Sequence, residues 1–229
     1  MILTDPEWQA VLLSLKVSSL AVIFSLPFGI FFAWLLVRRH FPGKALLDSL
    51  LHLPLVLPPV VVGYLLLVSM GRRGAIGAWL YDWFGITLAF SWRGAVLAAA
   101  VMSFPLMVRA IRLALEGVDV NLEQVACTLG AGRFRVFFTI TLPLMLPGII
   151  AGTVLAFARS LGEFGATITF VSNIPGETRT IPSAMYTLIQ MPGGESAAAR
   201  LCVISIVLAM ISLLISEWLA RISRARTGK

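Results

Sequence analysis

The sequence predicts an all-α integral membrane protein with about five spanning helices. Three observations predict it. Of its 229 residues, 59% are hydrophobic and only 13% are charged, whereas soluble domains are roughly half apolar and about a quarter charged. The apolar excess falls into five long blocks, at residues 10–37, 45–70, 94–111, 144–171 and 197–220. Each reaches the roughly 17–25 residues that cross the hydrocarbon layer as a helix. Positive charge is also divided unevenly between the connections. The 38–44 and 109–141 loops and the C-terminal tail carry eleven Lys and Arg, against five in the 71–93 and 172–200 loops. Basic loops stay in the cytoplasm during insertion. The N-terminus is therefore expected outside and the C-terminus inside, and the net charge of +7 reflects topology rather than a nucleic-acid partner.

Taken in order, the first block is not a cleavable signal. It is too long, it contains Lys16, and Asp5 and Glu7 precede it where a signal would be basic. Lys16 lies near an end of its span and is expected to snorkel to the interface. The first external stretch holds Trp79, Tyr81, Trp83 and Phe84. Aromatic side chains favour the membrane–water boundary, so a short helix lying on the outer surface or a docking surface for an external partner is expected there. The second external stretch is punctuated by Pro175, Gly176, Pro182, Pro192, Gly193 and Gly194. That pattern predicts turns and a short surface or re-entrant helix around residues 183–190. Cys127 and Cys202 fall in a cytoplasmic loop and in the last span, where no disulfide is expected. With only His40 and His52, and no CxxC or HExxH, no metal site is expected.

The sharpest signal is the cytoplasmic segment 119–143. Asn121 is placed to cap a helix, with Gln124 three residues later in the partner position of a capping box. Leu122, Val125, Ala126 and Leu129 follow at helical spacing and form one apolar face. Gly130-Ala131-Gly132 ends the helix, because glycine supplies the left-handed geometry of a C-terminal cap. Arg133 and Arg135 then introduce an apolar run that leads through Leu142-Pro143 into the fourth span. An apolar face on so short a cytoplasmic helix needs a cover, either a partner's groove or the membrane surface.

This segment resembles the cytoplasmic loop of importer-type ABC transporter permeases. Their pattern is Glu-Ala-Ala, three residues, Gly, nine residues, Ile, one residue, Leu-Pro. Here Gln124-Val125-Ala126, Gly130, Ile140 and Leu142-Pro143 keep every spacing. Gln124 replaces the usual Glu, Val125 replaces the first Ala, and Glu123 stands beside the expected acidic position. The resemblance implies a type I ABC importer permease fold, with a coupling helix that docks into a cleft of an ATP-hydrolysing subunit. Glu123, Gln124, Val125, Ala126, Leu129, Gly130, Ala131 and Arg133 are its implied contact residues. A second stretch, 159–186, is similar to the signature of molybdate permeases, whose relatives move sulfate and thiosulfate. It is carried by Gly162-Glu163-Phe164-Gly165-Ala166, Asn173-Ile174-Pro175-Gly176, Thr178, Thr180 and Pro182. The resemblance runs from about residue 8 to 218 of a single membrane domain.

Within that stretch Arg159 and Glu163 are four residues apart, on one helical face. Ionisable groups at membrane depth face the bundle interior or a water-filled cavity. Two readings stay open: an internal ion pair that locks the fourth span, or side chains lining an anion's path. The resemblance further implies two copies of this chain around one path, two ATPase subunits below and a periplasmic oxyanion-binding protein above. ATP and Mg would be bound by the ATPase, and this chain would carry no cofactor and no enzymatic activity of its own. It contains no GxxxxGK[ST] phosphate loop. A stand-alone secondary transporter would need several carboxylates within its spans and a repeat of broken helices, and a scaffold would not need the Gly130-to-Pro143 spacing.

Overall fold

A computed structural model describes residues 3–227. Lys229, counted with the basic tail, lies outside the described residues, as do the side chains of Arg224 and Arg226. The elements among the described residues are α1 (Asp5–Arg38), α2 (Lys44–Val56), α3 (Pro59–Met70), α4 (Ala75–Phe84), α5 (Trp92–Glu116), α6 (Val120–Thr128), α7 (Arg133–Val136), a π-helical segment (Phe137–Thr141), α8 (Leu142–Leu161), α9 (Gly165–Val171), α10 (Ile181–Gln190) and α11 (Glu195–Thr227). Four stretches are long and apolar enough to cross a membrane: Asp5–Arg38, Trp92–Glu116, Arg133–Leu161 and Glu195–Leu219. The bent pair α2–α3 makes a fifth if counted as one span.

The centre of the bundle is α5, which packs against α1 and α8. The C-terminal ends of α1 and α5 lie together, because Arg38 reaches Val118 just beyond α5; α8 runs back between them. One apolar cluster joins Val22, Ala33, Met107, Ile111, Leu115, Met145 and Ile149 toward the end that carries α6. Another joins Val17, Ala21, Val62, Ala95, Ala98, Met102, Ala166 and Phe170 toward the opposite end. There α10 tucks against α1 and α11, and the Ile181 backbone N–H donates to the Ser14 hydroxyl at 2.7 Å.

Two of the expected spans are interrupted. The 45–70 block is not one straight helix: α2 and α3 meet at 113°. Pro58 and Pro59 lie at that break, and proline removes a backbone donor and disfavours helix in the residue before it. The two halves make their contacts in different parts of the bundle. Arg112 of α5 binds Asp48 of α2 at 3.0 Å near the α6 end, while Val62 and Leu66 of α3 join the opposite cluster. The 144–171 block is also displaced. Its helix begins at Arg133, stops at Leu161, and restarts as α9 after Gly162–Phe164. A π-helical turn precedes Pro143, with the Leu142 N–H donating to the Phe137 carbonyl. The wider turn carries the helix into a proline that has no N–H of its own to give.

The two interruptions meet. A Cβ added to Gly63 would lie 2.6 Å from the Ala166 carbonyl oxygen, and one added to Gly165 would lie 2.7 Å from Pro59 Cβ. Only residues without a side chain let α3 and α9 approach this closely, as small residues do at helix contacts in membranes.

Candidate functional site

The α6 segment is built as a lone helix on a short tether. Asp119, in extended geometry, caps it by accepting the Asn121 N–H at 2.9 Å. The cap is therefore not Asn121, and the Gln124 side chain makes no capping bond; the helix starts at Val120, one residue before the expected cap. The physical reason is that Asp119 also has a short acceptor side chain, and it reaches the first orphan N–H groups earlier. The stop is as expected: Gly130 takes φ +89°, and the Ala131 N–H returns to the Ala126 carbonyl at 3.0 Å.

No residue of α6 is buried. Gln124, Val125, Leu129, Gly130 and Arg133 are exposed, and Ala126 and Ala131 are half-buried. Leu129 is 84% exposed, and Phe134, just beyond the glycine turn, is 85% exposed. The residues expected to form one apolar face thus stay largely uncovered, and so does Phe134. Phe134 was visible in sequence only as one member of an apolar run, with nothing to say that it would stay uncovered.

Glu123 behaves differently from its neighbours. Its side chain is 19% exposed and turned toward the bundle, where Arg38 Nη2 donates to its Oε1 at 2.9 Å. The Thr141 hydroxyl donates to the same oxygen at 2.8 Å. Neither partner was legible, because Arg38 is 85 positions away in the chain and no local spacing pairs them.

Arg159 and Glu163 do meet, at 2.7 Å. They do not lie on one continuous helix, since α8 ends at Leu161. Glu163 sits in the break, where its Oε1 also accepts the Ala166 N–H at 2.9 Å. The Glu163 side chain is 2% exposed and that of Arg159 is 30% exposed. The remaining residues of this stretch fold the loop itself. Thr178, fully buried, accepts the Ile174 N–H at 2.9 Å and donates to the Ser172 carbonyl. Asn173 accepts from Arg179 Nε at 3.0 Å and donates to Thr187 at 2.7 Å. Thr180 and Ser183 share a hydrogen bond at 2.9 Å.

Elsewhere, the Lys16 Nζ sits 3.8 Å over the ring of Trp92, the first residue of α5, a cation–π contact. The aromatic stretch forms α4, with Trp79, Trp83 and Phe84 exposed, and the short helix expected around residues 183–190 is α10.

An apolar bundle with four or five helices long enough to cross a membrane defines a polytopic membrane protein, and at one end it leaves a glycine-terminated helix uncovered. Residues 25–228 match the family described as binding-protein-dependent transport system inner membrane component, and the chain belongs to that family. It is 91% identical over 229 residues, the whole of both chains, to the molybdenum transport system permease protein ModB of Escherichia coli strain K12. It is 63% identical over 223 residues, 97% of each chain, to the protein of that name from Haemophilus influenzae. Against the sulfate transport system permease protein CysT of Escherichia coli strain K12 it is 37% identical, over 93% of this chain and 76% of the relative. Among solved structures it resembles a bacterial ABC transporter involved in the import of alginate, with TM-score 0.76 and 18% identity over 95% of this chain and 80% of that one. The MetNI methionine ABC transporter matches with TM-score 0.66 and 12% identity, over 95% and 94%. These likenesses show an all-α ABC importer permease fold.

Proposed function

We propose that this chain is the permease subunit of an ATP-driven importer that carries molybdate, and tungstate with it, into the cytoplasm. The observation that carries this reading is the 91% identity, end to end, with a molybdenum permease. Lower identities do not separate the substrates, because the molybdenum permease ModB of Azotobacter vinelandii and the sulfate permease CysT are both 37% identical to this chain. In this reading two copies surround one path, two ATPase subunits bind ATP and Mg, and a periplasmic oxyanion-binding protein delivers the ion. The N-terminus is outside, and the α6 end faces the cytoplasm in a multi-pass inner-membrane protein.

The α6 segment is the coupling element. Gln124, Val125, Ala126, Leu129, Gly130, Ala131 and Arg133 meet the ATPase, and Phe134 joins them. At the other end of α8, Glu163 braces the helix break and Arg159, still partly exposed, is placed to meet the anion. A path must bind weakly enough to release its ion. One guanidinium whose charge is already balanced by Glu163 fits that need, and high-affinity selection belongs to the binding protein.

Uptake of labelled molybdate and labelled sulfate in a strain lacking this chain, and in the restored strain, tests the reading. High-affinity molybdate uptake should vanish and return with the chain, while sulfate uptake is unchanged. Loss of sulfate uptake alone would transfer the assignment to a sulfate or thiosulfate permease. No change in either would remove the oxyanion reading.

A further inference from the structure

The Glu123 side chain turns from the open face of α6 toward the bundle. One carboxylate oxygen, Oε1, accepts from Arg38 Nη2 at 2.9 Å and from the Thr141 hydroxyl at 2.8 Å. The same Arg38 nitrogen donates to the Val118 carbonyl at 3.2 Å. These groups belong to the last turn of α1, the approach to α6, α6 itself, and the last residue of the π-helical segment that opens α8. The site is largely dehydrated: the Arg38 side chain is 14% exposed and Thr141 is 2% exposed. Among the described residues, these are the only side-chain hydrogen bonds from α6 to another element.

We infer that Glu123 is the pin through which a displacement of α6 is passed to α1 and α8. Three facts favour a mechanical role. With no buried residue on α6, a helix held so lightly would swing on its tether if its one charged tie were cut, and a push on its exposed face would be lost. The tie lands on Thr141, in a π-helical turn, an irregularity that helices commonly keep at functional positions. And α8, which that turn opens, runs to the Arg159–Glu163 break at the far end of the bundle. The neighbouring Gln124 is exposed, so the position that is acidic in the resembling motif is neutral and outward here, and the acidic residue beside it points inward. The inference rests on the reading of α6 as the ATPase-docking helix.

The test uses the complex purified through this chain and reconstituted in vesicles, with ATP hydrolysis and molybdate uptake measured on the same preparation. Glu123→Gln keeps the shape and removes the charge; Arg38→Met and Thr141→Val remove one donor each. Hydrogen bonds to charged groups are stronger than neutral ones. Glu123→Gln and Arg38→Met should therefore co-purify with the ATPase in normal yield, yet move about tenfold fewer ions per ATP hydrolysed. Thr141→Val, which keeps the ion pair, should lower the ratio only a few-fold. A charge exchange, Arg38→Glu with Glu123→Arg, should recover part of the lost ratio, and no recovery would overturn the assignment of the effect to this pair. An unchanged ratio in Glu123→Gln overturns the inference. So does loss of the ATPase from both single-charge variants, which would make Glu123 a docking residue. If the unaltered complex contains no ATPase, the docking reading itself fails, which is a separate and distinguishable result.

Discussion

Two short helices interrupt this bundle, α6 at one end and α9 near the other, and they are finished in opposite ways. Of the seven residues of α9, Ala166, Thr167, Phe170 and Val171 are buried. Its start is bonded by Glu163, and its glycine lies against Pro59 of α3. None of the nine residues of α6 is buried, and Leu129 stands almost wholly exposed. A helix whose apolar face is filled by its own chain is part of the fold. One whose face is left open is, in the proposed function, finished by another molecule. The difference separates damage that the isolated chain will feel from damage that appears only when a partner is present.

Predictions at the α9 junction come first, because the largest effects are expected there. Glu163→Ala leaves Arg159 without its counter-charge and the Ala166 N–H without its acceptor. Removing one member of a buried pair costs roughly 3–5 kcal/mol; Arg159 retains some exposure, so about 3 kcal/mol is expected. The purified chain in detergent should unfold at a clearly lower temperature, and a transition at the normal temperature would mean that the break is not held by this pair.

Gly63→Val should cost about 2 kcal/mol, within the range for overpacking a filled interior. The new Cβ meets the Ala166 backbone rather than a side chain that could turn aside. The same substitution at Gly132, where nothing lies within 4 Å of a Cβ, should leave the transition unchanged. Equal losses at both sites would erase the contrast between a closed and an open region.

The smallest effect belongs to Asp119→Ala. Loss of an N-cap costs about 1 kcal/mol, and α6 contributes nothing buried to the bundle. Amide exchange should quicken across residues 120–128 while the global transition stays in place. A fall in global stability would show that α6 is integrated into the fold after all.

How much of this the sequence discloses follows from what each feature depends on. The long spans are legible because membrane length and hydropathy are local properties. The breaks in two of them are not, although Pro58-Pro59 and Gly162-Glu163 mark both places. Apolar residues on either side keep the hydropathy high, and neither proline nor glycine alone decides between a kink and a stop. The Arg159–Glu163 pair is anticipated by its spacing even though the helix ends between them. Gly162 retains near-helical angles, φ −89° and ψ 6°, so the four-residue offset still brings the side chains together. In the segment 119–143 the glycine stop is legible, since Gly130 needs a positive φ. The start is misplaced because Asp119 and Asn121 are both competent caps, and the spacing to Gln124 favours the wrong one. The inward turn of Glu123 depends on Arg38 and Thr141, and contacts between distant elements leave no trace in local periodicity.

The most direct test of the central claim, that the open face of α6 is closed by the ATPase, uses the exposed native Cys127 on that helix. Membranes holding the whole complex are treated with a short thiol crosslinker against single cysteines introduced along the ATPase cleft, with and without Leu129→Asp in this chain. The account predicts a crosslinked product of the two subunits that disappears with Leu129→Asp, while the amount of inserted chain is unchanged. Absence of any crosslink from Cys127 in the unaltered complex, or full crosslinking and co-purification with Leu129→Asp, would contradict it.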